Sequence, residues 1–208
     1  MSDDHQKSTL NDFDCVIGLV GLKAAGKDEF ADYVTAKYGF TVRRCGDEIR
    51  AQLRSEGHEK PTIAQQIELG NRARLESGDI GYWAKRVLER ARQTGNRLMA
   101  VNGIRHPAEV DGLRTIAGDA FTLVGIVAPF QMRAKRLLER GRDGDPKTME
   151  EFTALDQKDR GIGQPAHGQQ VGLALKMVGV QNMCQNDGTM EKYHAWIDAL
   201  MARVLAKK

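Results

Sequence analysis

The segment Gly21-Leu22-Lys23-Ala24-Ala25-Gly26-Lys27-Asp28 limits this chain more than any other stretch. An apolar run, Cys15–Val20, precedes it, and a helix-like run over residues 29–34 follows. Strand, glycine-bounded loop and helix, in that order, is the setting in which G-x-x-x-x-G-K wraps its backbone round phosphate. The glycines let successive N–H groups converge on an anion. The helix adds its unpaired first N–H groups and the positive end of its dipole. Residues 21–28 are therefore candidates for holding a nucleoside triphosphate, with ATP the expected donor and Lys27 reaching its outer phosphates.

One position departs from the motif. A Ser or Thr normally follows the lysine and lends its hydroxyl to Mg²⁺; here Asp28 stands in its place. A carboxylate is a hard oxygen ligand suited to Mg²⁺, so Asp28 is the candidate metal residue. An acidic residue in the first turn of a helix is also favoured by the dipole alone. Both readings stand at this point.

Alternation of strand and helix continues along the chain. Short apolar runs at 40–44, 97–102, 121–127 and 179–184 read as further strands. Helical periodicity covers 80–93, 108–116, 131–139 and 190–205. This pattern predicts an α/β fold with a five-stranded parallel sheet covered on both faces, whose ligands sit at the carboxyl ends of the strands. The phosphate loop, Asn102-Gly103-Ile104-Arg105 and Asn186-Asp187-Gly188 all fall there. Asn186 and Asp187 are candidates for the donor's base pocket, or for capping the last helix.

Composition narrows the function classes. With 208 residues the chain is expected to be one domain over 13–208, preceded by a polar arm at 1–12. Its net charge of +3 and 6% aromatic content, with arginines at strand ends rather than in a stripe, argue against nucleic acid. No run approaches the roughly 20 apolar residues of a membrane span. Three cysteines without ligand spacing read as buried thiols in a reducing, cytoplasmic compartment. The histidines show no zinc-ligand spacing.

Arginine is suited to bidentate phosphate contact and keeps its charge. Arg50 and Arg105 follow strand ends, and Arg72 and Arg74 lie on an intervening helix, so the four are candidates for one second anion pocket. Asp47 is placed to orient Arg50 or the acceptor. The stretch 141–168 carries seven glycines and prolines among charged residues. It is expected to form a mobile lid.

Gly46-Asp47-Glu48-Ile49-Arg50-Ala51 resembles the G-D-x-x-R-A segment of adenylate kinases, whose arginine grips the monophosphate acceptor. Gly103-Ile104-Arg105 resembles their G-F-P-R segment, one residue shorter. Arg136 and Arg140 resemble the paired arginines at the start of the lid. The Gly-Lys-Asp ending is similar to phage deoxynucleoside monophosphate kinases and animal-type phosphomevalonate kinases. The run over about 15–205, including Pro107-Ala108-Glu109-Val110 and Arg140-Gly141-Arg142-Asp143, looks most like a group of small archaeal and bacterial predicted nucleotide kinases. The resemblance implies a P-loop NTPase fold and transfer of the ATP γ-phosphoryl to a nucleoside or deoxynucleoside monophosphate. It also implies that Lys27, Arg136, Arg140 and Arg142 stabilise the transferred group. A non-nucleotide ester such as phosphomevalonate is the alternative acceptor, and a non-catalytic nucleotide switch the alternative class.

Two departures qualify the resemblance. After the lid adenylate kinases carry more arginines, where only Lys158 and Arg160 stand here. Glu109 occupies the spacing of a base-reading glutamine. As an acceptor-only group it would favour a base edge presenting N–H donors; it also suits a first helical turn after Pro107.

Overall fold

The computed structural model describes residues 13–142 and 144–206, so the expected arm at 1–12 lies outside the described residues. Five strands, β1 (Cys15–Val20), β2 (Thr41–Arg44), β3 (Leu98–Ile104), β4 (Phe121–Val127) and β5 (Met183–Gln185), form one sheet in the order β2-β3-β1-β4-β5. Every pairing is parallel, as the near-continuous apolar runs require. The register between β1 and β3 slips between Leu19 and Val20, opposite Asn102 and Ile104. Gly103, at φ 95°, takes up the extra residue at that bulge.

Nine helices are seen among the described residues: α1 (Lys27–Tyr38), α2 (Cys45–Ser55), α3 (Ile63–Glu76), α4 (Tyr82–Gln93), α5 (Pro107–Ala117), α6 (Phe130–Arg140), α7 (Met149–Arg160), α8 (Val171–Leu175) and α9 (Met190–Leu205). Local chemistry fixes several starts. Thr62 and Gln65 make a reciprocal capping box on α3, and Pro107 opens α5 behind His106, whose ring nitrogen accepts from Ala108 N–H. Thr189 caps α9 through the Lys192 N–H. This removes Asn186 and Asp187 as that helix's cap. By contrast α1 starts at Gly26 with no side-chain cap.

Alternation along the strands splits the apolar residues between two cores. Val16, Val20, Met99, Val101 and Ile104 face the layer that holds Trp83, Leu88 and Leu113. Cys15, Ile17, Leu19, Ala100 and Ile126 face Phe30, Val34, Ile197 and Leu200 of α1 and α9. All three cysteines are buried. A small third cluster, Ala134, Leu137 and Phe152, joins α6 to α7. The stretch expected as a lid loop is thus helical over Met149–Arg160, with Phe152, Asp156 and Asp159 buried on one face. No helix of the described residues is long and apolar enough to cross a membrane.

Candidate functional site

The loop after β1 is held by its carbonyls. Six consecutive oxygens, Gly21 to Gly26, each accept a side-chain hydrogen bond. Lys27 Nζ donates to Gly21 O at 2.7 Å and Leu22 O at 2.9 Å. Arg133 reaches Lys23 O and Arg136 reaches Ala24 O, each at 3.4 Å. Asn186 Nδ2 donates to Ala25 O at 2.8 Å, and the Tyr193 hydroxyl to Gly26 O at 2.9 Å. Ala24 at φ 58° and Gly26 at φ 114° turn the intervening peptides, the geometry that gathers N–H groups into an anion-binding concavity. Ala24 is the one non-glycine residue with positive φ among the described residues. A Cβ on Gly26 would lie 2.3 Å from Asn186 Nδ2, so the loop and its brace fit only with glycine there.

A cleft of about 480 Å³ opens beside this loop, at the carboxyl ends of β1, β2 and β3. Lys23, Ala24, Lys27 and Asp28 line one side, and Asp47, Arg50 and Arg105 line it with them. Arg140 and Arg142 from the end of α6 border it, and both also border a second recess of about 210 Å³ with Arg136, Gly26 and Lys27. Arg140 pairs with Asp145 at 2.6 Å, and that hydrogen bond raises its pKa. Arg50 pairs with Asp47 and takes Gln66 Oε1 at 3.1 Å.

Asp159, on α7, links the two sides. It accepts from Lys23 N–H at 3.2 Å and Lys23 Nζ at 3.5 Å, and it pairs with Arg105. Burial alone would raise its pKa, but the charges of Lys23, Arg105 and Lys27 hold it down to about 2. On the cationic side, burial and the charge of Arg105 lower Lys27 to about 8, and lower Lys23 also. One turn earlier, Asp156 pairs at 2.6 Å with buried Arg133, whose guanidinium lies against the rings of Phe130 and Phe152. Neither carboxylate stood out in the sequence. Their signal is the spacing Phe152, Asp156, Asp159 on one helical face.

Asp28 lies in the cleft with its side chain 57% exposed. Its Oδ1 accepts from Asn102 Nδ2 at 2.9 Å and has Arg44 Nε at 3.6 Å. No cluster of three metal-ligating side chains exists among the described residues. A lone carboxylate beside a phosphate loop nevertheless fits Mg²⁺, which takes one or two carboxylates together with substrate phosphates and water.

Three expectations are corrected by their surroundings. Arg72 is not in the cleft; it pairs with Glu56 at 3.3 Å and Glu76 at 4.0 Å on the outer side of α3. Arg74 is 3% exposed and bound to Glu109 at 2.7 Å, so its charge is already neutralised. Glu109 is wholly buried, taking Arg74 with one oxygen and the Arg105 N–H at 2.7 Å with the other. A carboxylate so committed presents nothing to a base. Asp187 is exposed beside Asn186, whose amide braces the loop.

Residues 16–161 match the family model described as an AAA domain. UPF0200 proteins of Methanoculleus marisnigri and Methanothrix thermoacetophila are 34% and 32% identical, covering 91% and 89% of this chain and 96% of each relative. Among solved structures, shikimate kinase from Acinetobacter baumannii superposes with a TM-score of 0.56 at 15% identity, covering 93% of this chain and 94% of that one. The APS kinase of Mycobacterium tuberculosis gives 0.51 at 19% identity, covering 90% and 97%. The fold is thus the α/β fold of P-loop kinases. By domain match and by its curated relatives, the chain belongs to the AAA domain family and to the UPF0200 proteins.

Proposed function

We propose that this protein transfers the γ-phosphoryl group of ATP to the phosphate of a nucleoside or deoxynucleoside monophosphate. The observation that carries the reading is one cleft lined by two cationic sets, the loop with Lys27 and the pair Arg50 and Arg105. A nucleotide switch needs only the first set. Kinases of small molecules share the fold, among them one whose substrate is shikimate.

The loop N–H groups and Lys27 would hold the β- and γ-phosphates. Arg50 and Arg105 would hold the acceptor phosphate, with Asp47 and Gln66 fixing Arg50 and with Asp159 and Glu109 fixing Arg105. An acceptor oxygen attacks the γ-phosphorus, the bond from that phosphorus to the β,γ-bridging oxygen breaks, and a diphosphate and ADP leave. Arg136, Arg140 and Arg142 would neutralise charge on the group in flight, in a site that needs no covalent intermediate. Asp28 would hold Mg²⁺, which neutralises charge between the phosphate oxygens when bound.

ADP formation measured across a panel of monophosphates tests this reading. At least one should accelerate it, and Arg105→Ala should weaken that acceptor about tenfold to a hundredfold, the loss of one charge-assisted contact. ATP affinity should change far less. Equal losses for both ligands would mean a single shared nucleotide site. No acceleration by any monophosphate would favour the switch, or an acceptor such as a phosphomevalonate-like ester.

A further inference from the structure

We propose that Gln169 reads the body of the acceptor, and that this body is a flat, uncharged ring with a hydrogen-bond donor beside an acceptor, as in a nucleobase. The inference rests on the kinase reading of the cleft and adds the residue that selects the substrate.

A side chamber of about 170 Å³ opens off the cleft between α2 and α3. Lys23, Gly46, Arg50, Ile63 and Arg105 border both spaces, so the two are continuous and the arginines stand at the join. A phosphate on Arg50 and Arg105 would therefore extend the rest of its molecule into the chamber. A chamber of about 170 Å³ has room for a planar ring.

Its lining describes the occupant. Ile49, Ile63 and Ile67 supply apolar surface, as a ring face requires. Arg74 borders the chamber too, paired with buried Glu109, while the other charged groups, Lys23, Arg50 and Arg105, stand at the join with the cleft. Two carboxamides remain. Gln66 has both ends committed to the protein, its Oε1 accepting from Arg50 at 3.1 Å and its Nε2 donating to Pro61 O at 3.2 Å. Gln169 is 8% exposed, and among the described residues its side-chain amide has no hydrogen-bond partner. Its amide is not among the buried unpartnered atoms, so it faces the open chamber, free to meet a ligand. A carboxamide offers a donor and an acceptor side by side, which matches the edge of a base.

The backbone holds Gln169 in register with the phosphate site. Gln170 N–H donates to Arg105 O at 2.6 Å, and His106 Nε2 lies 3.0 Å from Ala166 O. The segment bearing Gln169 is thereby tied to the same strand end that presents Arg105.

The test is calorimetric binding, without ATP, of the nucleoside monophosphates and of ribose 5-phosphate, which has the phosphate and sugar but no base. Wild type should bind at least one monophosphate about tenfold more tightly than ribose 5-phosphate, the value of a satisfied hydrogen-bonded edge. Gln169→Leu should erase that advantage, leave ribose 5-phosphate binding unchanged, and melt no lower than wild type, because it removes an amide the fold does not use. Gln169→Glu, which can only accept, should shift preference towards bases whose edge presents donors. The inference is overturned if the base advantage survives Gln169→Leu, if ribose 5-phosphate binding falls equally, or if wild type shows no base advantage. Should base-selective binding depend on Gln169 while no monophosphate yields ADP, transfer to a monophosphate fails, and Gln169 stands as the reader of a bound monophosphate that is not an acceptor. The reverse pattern, ADP formation with selectivity indifferent to Gln169, sinks this one alone.

Discussion

Asp159 on α7 pairs with Arg105 at the end of β3, and the same carboxylate takes the backbone N–H of Lys23 in the phosphate loop. One buried side chain thus ties the loop after β1 to the arginine at the end of β3.

Removing that charge should cost stability in a pH-dependent way. Asp159→Asn keeps the shape but leaves Lys23 and Arg105 less compensated, at a cost of about 1–3 kcal/mol. The folded pKa, about 2, lies below the ordinary aspartate value near 3.9. The contribution is therefore fully present above about pH 4–5 and is lost as pH falls through about 2. Urea midpoints of wild type and variant should differ by a constant amount from pH 5 to 7 and converge in acid. A gap independent of pH down to 2 would contradict the charge argument.

Lys27 should make triphosphate binding weaken in alkali. Burial and Arg105 lower its pKa to about 8 in the free protein, and a bound polyphosphate would raise it. Affinity should be flat below about pH 8 and fall by up to about tenfold per unit above it. Lys23, lowered by the same causes, acts in the same direction. Titration of a non-hydrolysable ATP analogue from pH 6.5 to 9.5 checks this, and Lys27→Arg, charged throughout, should remove most of the slope.

Glu109→Gln should be a stability variant rather than a specificity variant. Breaking a buried pair by neutralising one partner costs about 3–5 kcal/mol, and both Arg74 and the Arg105 N–H lose their acceptor charge. Chemical denaturation should show the loss, with the order of preference among bases unchanged. A stable Glu109→Gln protein with an altered preference would restore Glu109 as the reader of the base.

The legibility of the chain differed between backbone and side chains. The strand runs at 15–20 and 121–127 and the helix at 190–205 match the structure at both ends, since apolar continuity and periodicity are local properties. Helix α7 was obscured by the glycines and prolines around it, although Phe152 and Leu155 carry its apolar face. The last strand is shorter than the apolar run, Met183–Gln185, because residues 180–182 form a 3-10 turn first.

What the sequence determined by itself was the phosphate loop, the alternation of strand and helix, and the strand ends at which Arg50 and Arg105 stand. Each follows from backbone chemistry within a few residues. Only the tertiary structure decided which charges remain available. Arg74 is closed off by Glu109, 35 positions away, whereas Arg105 pairs with Asp159, 54 positions away, and stays 28% exposed in the cleft. Whether an arginine faces a ligand or a carboxylate depends on the fold that brings the partner to it, because pairing acts through space over a few ångströms and leaves no period in the chain.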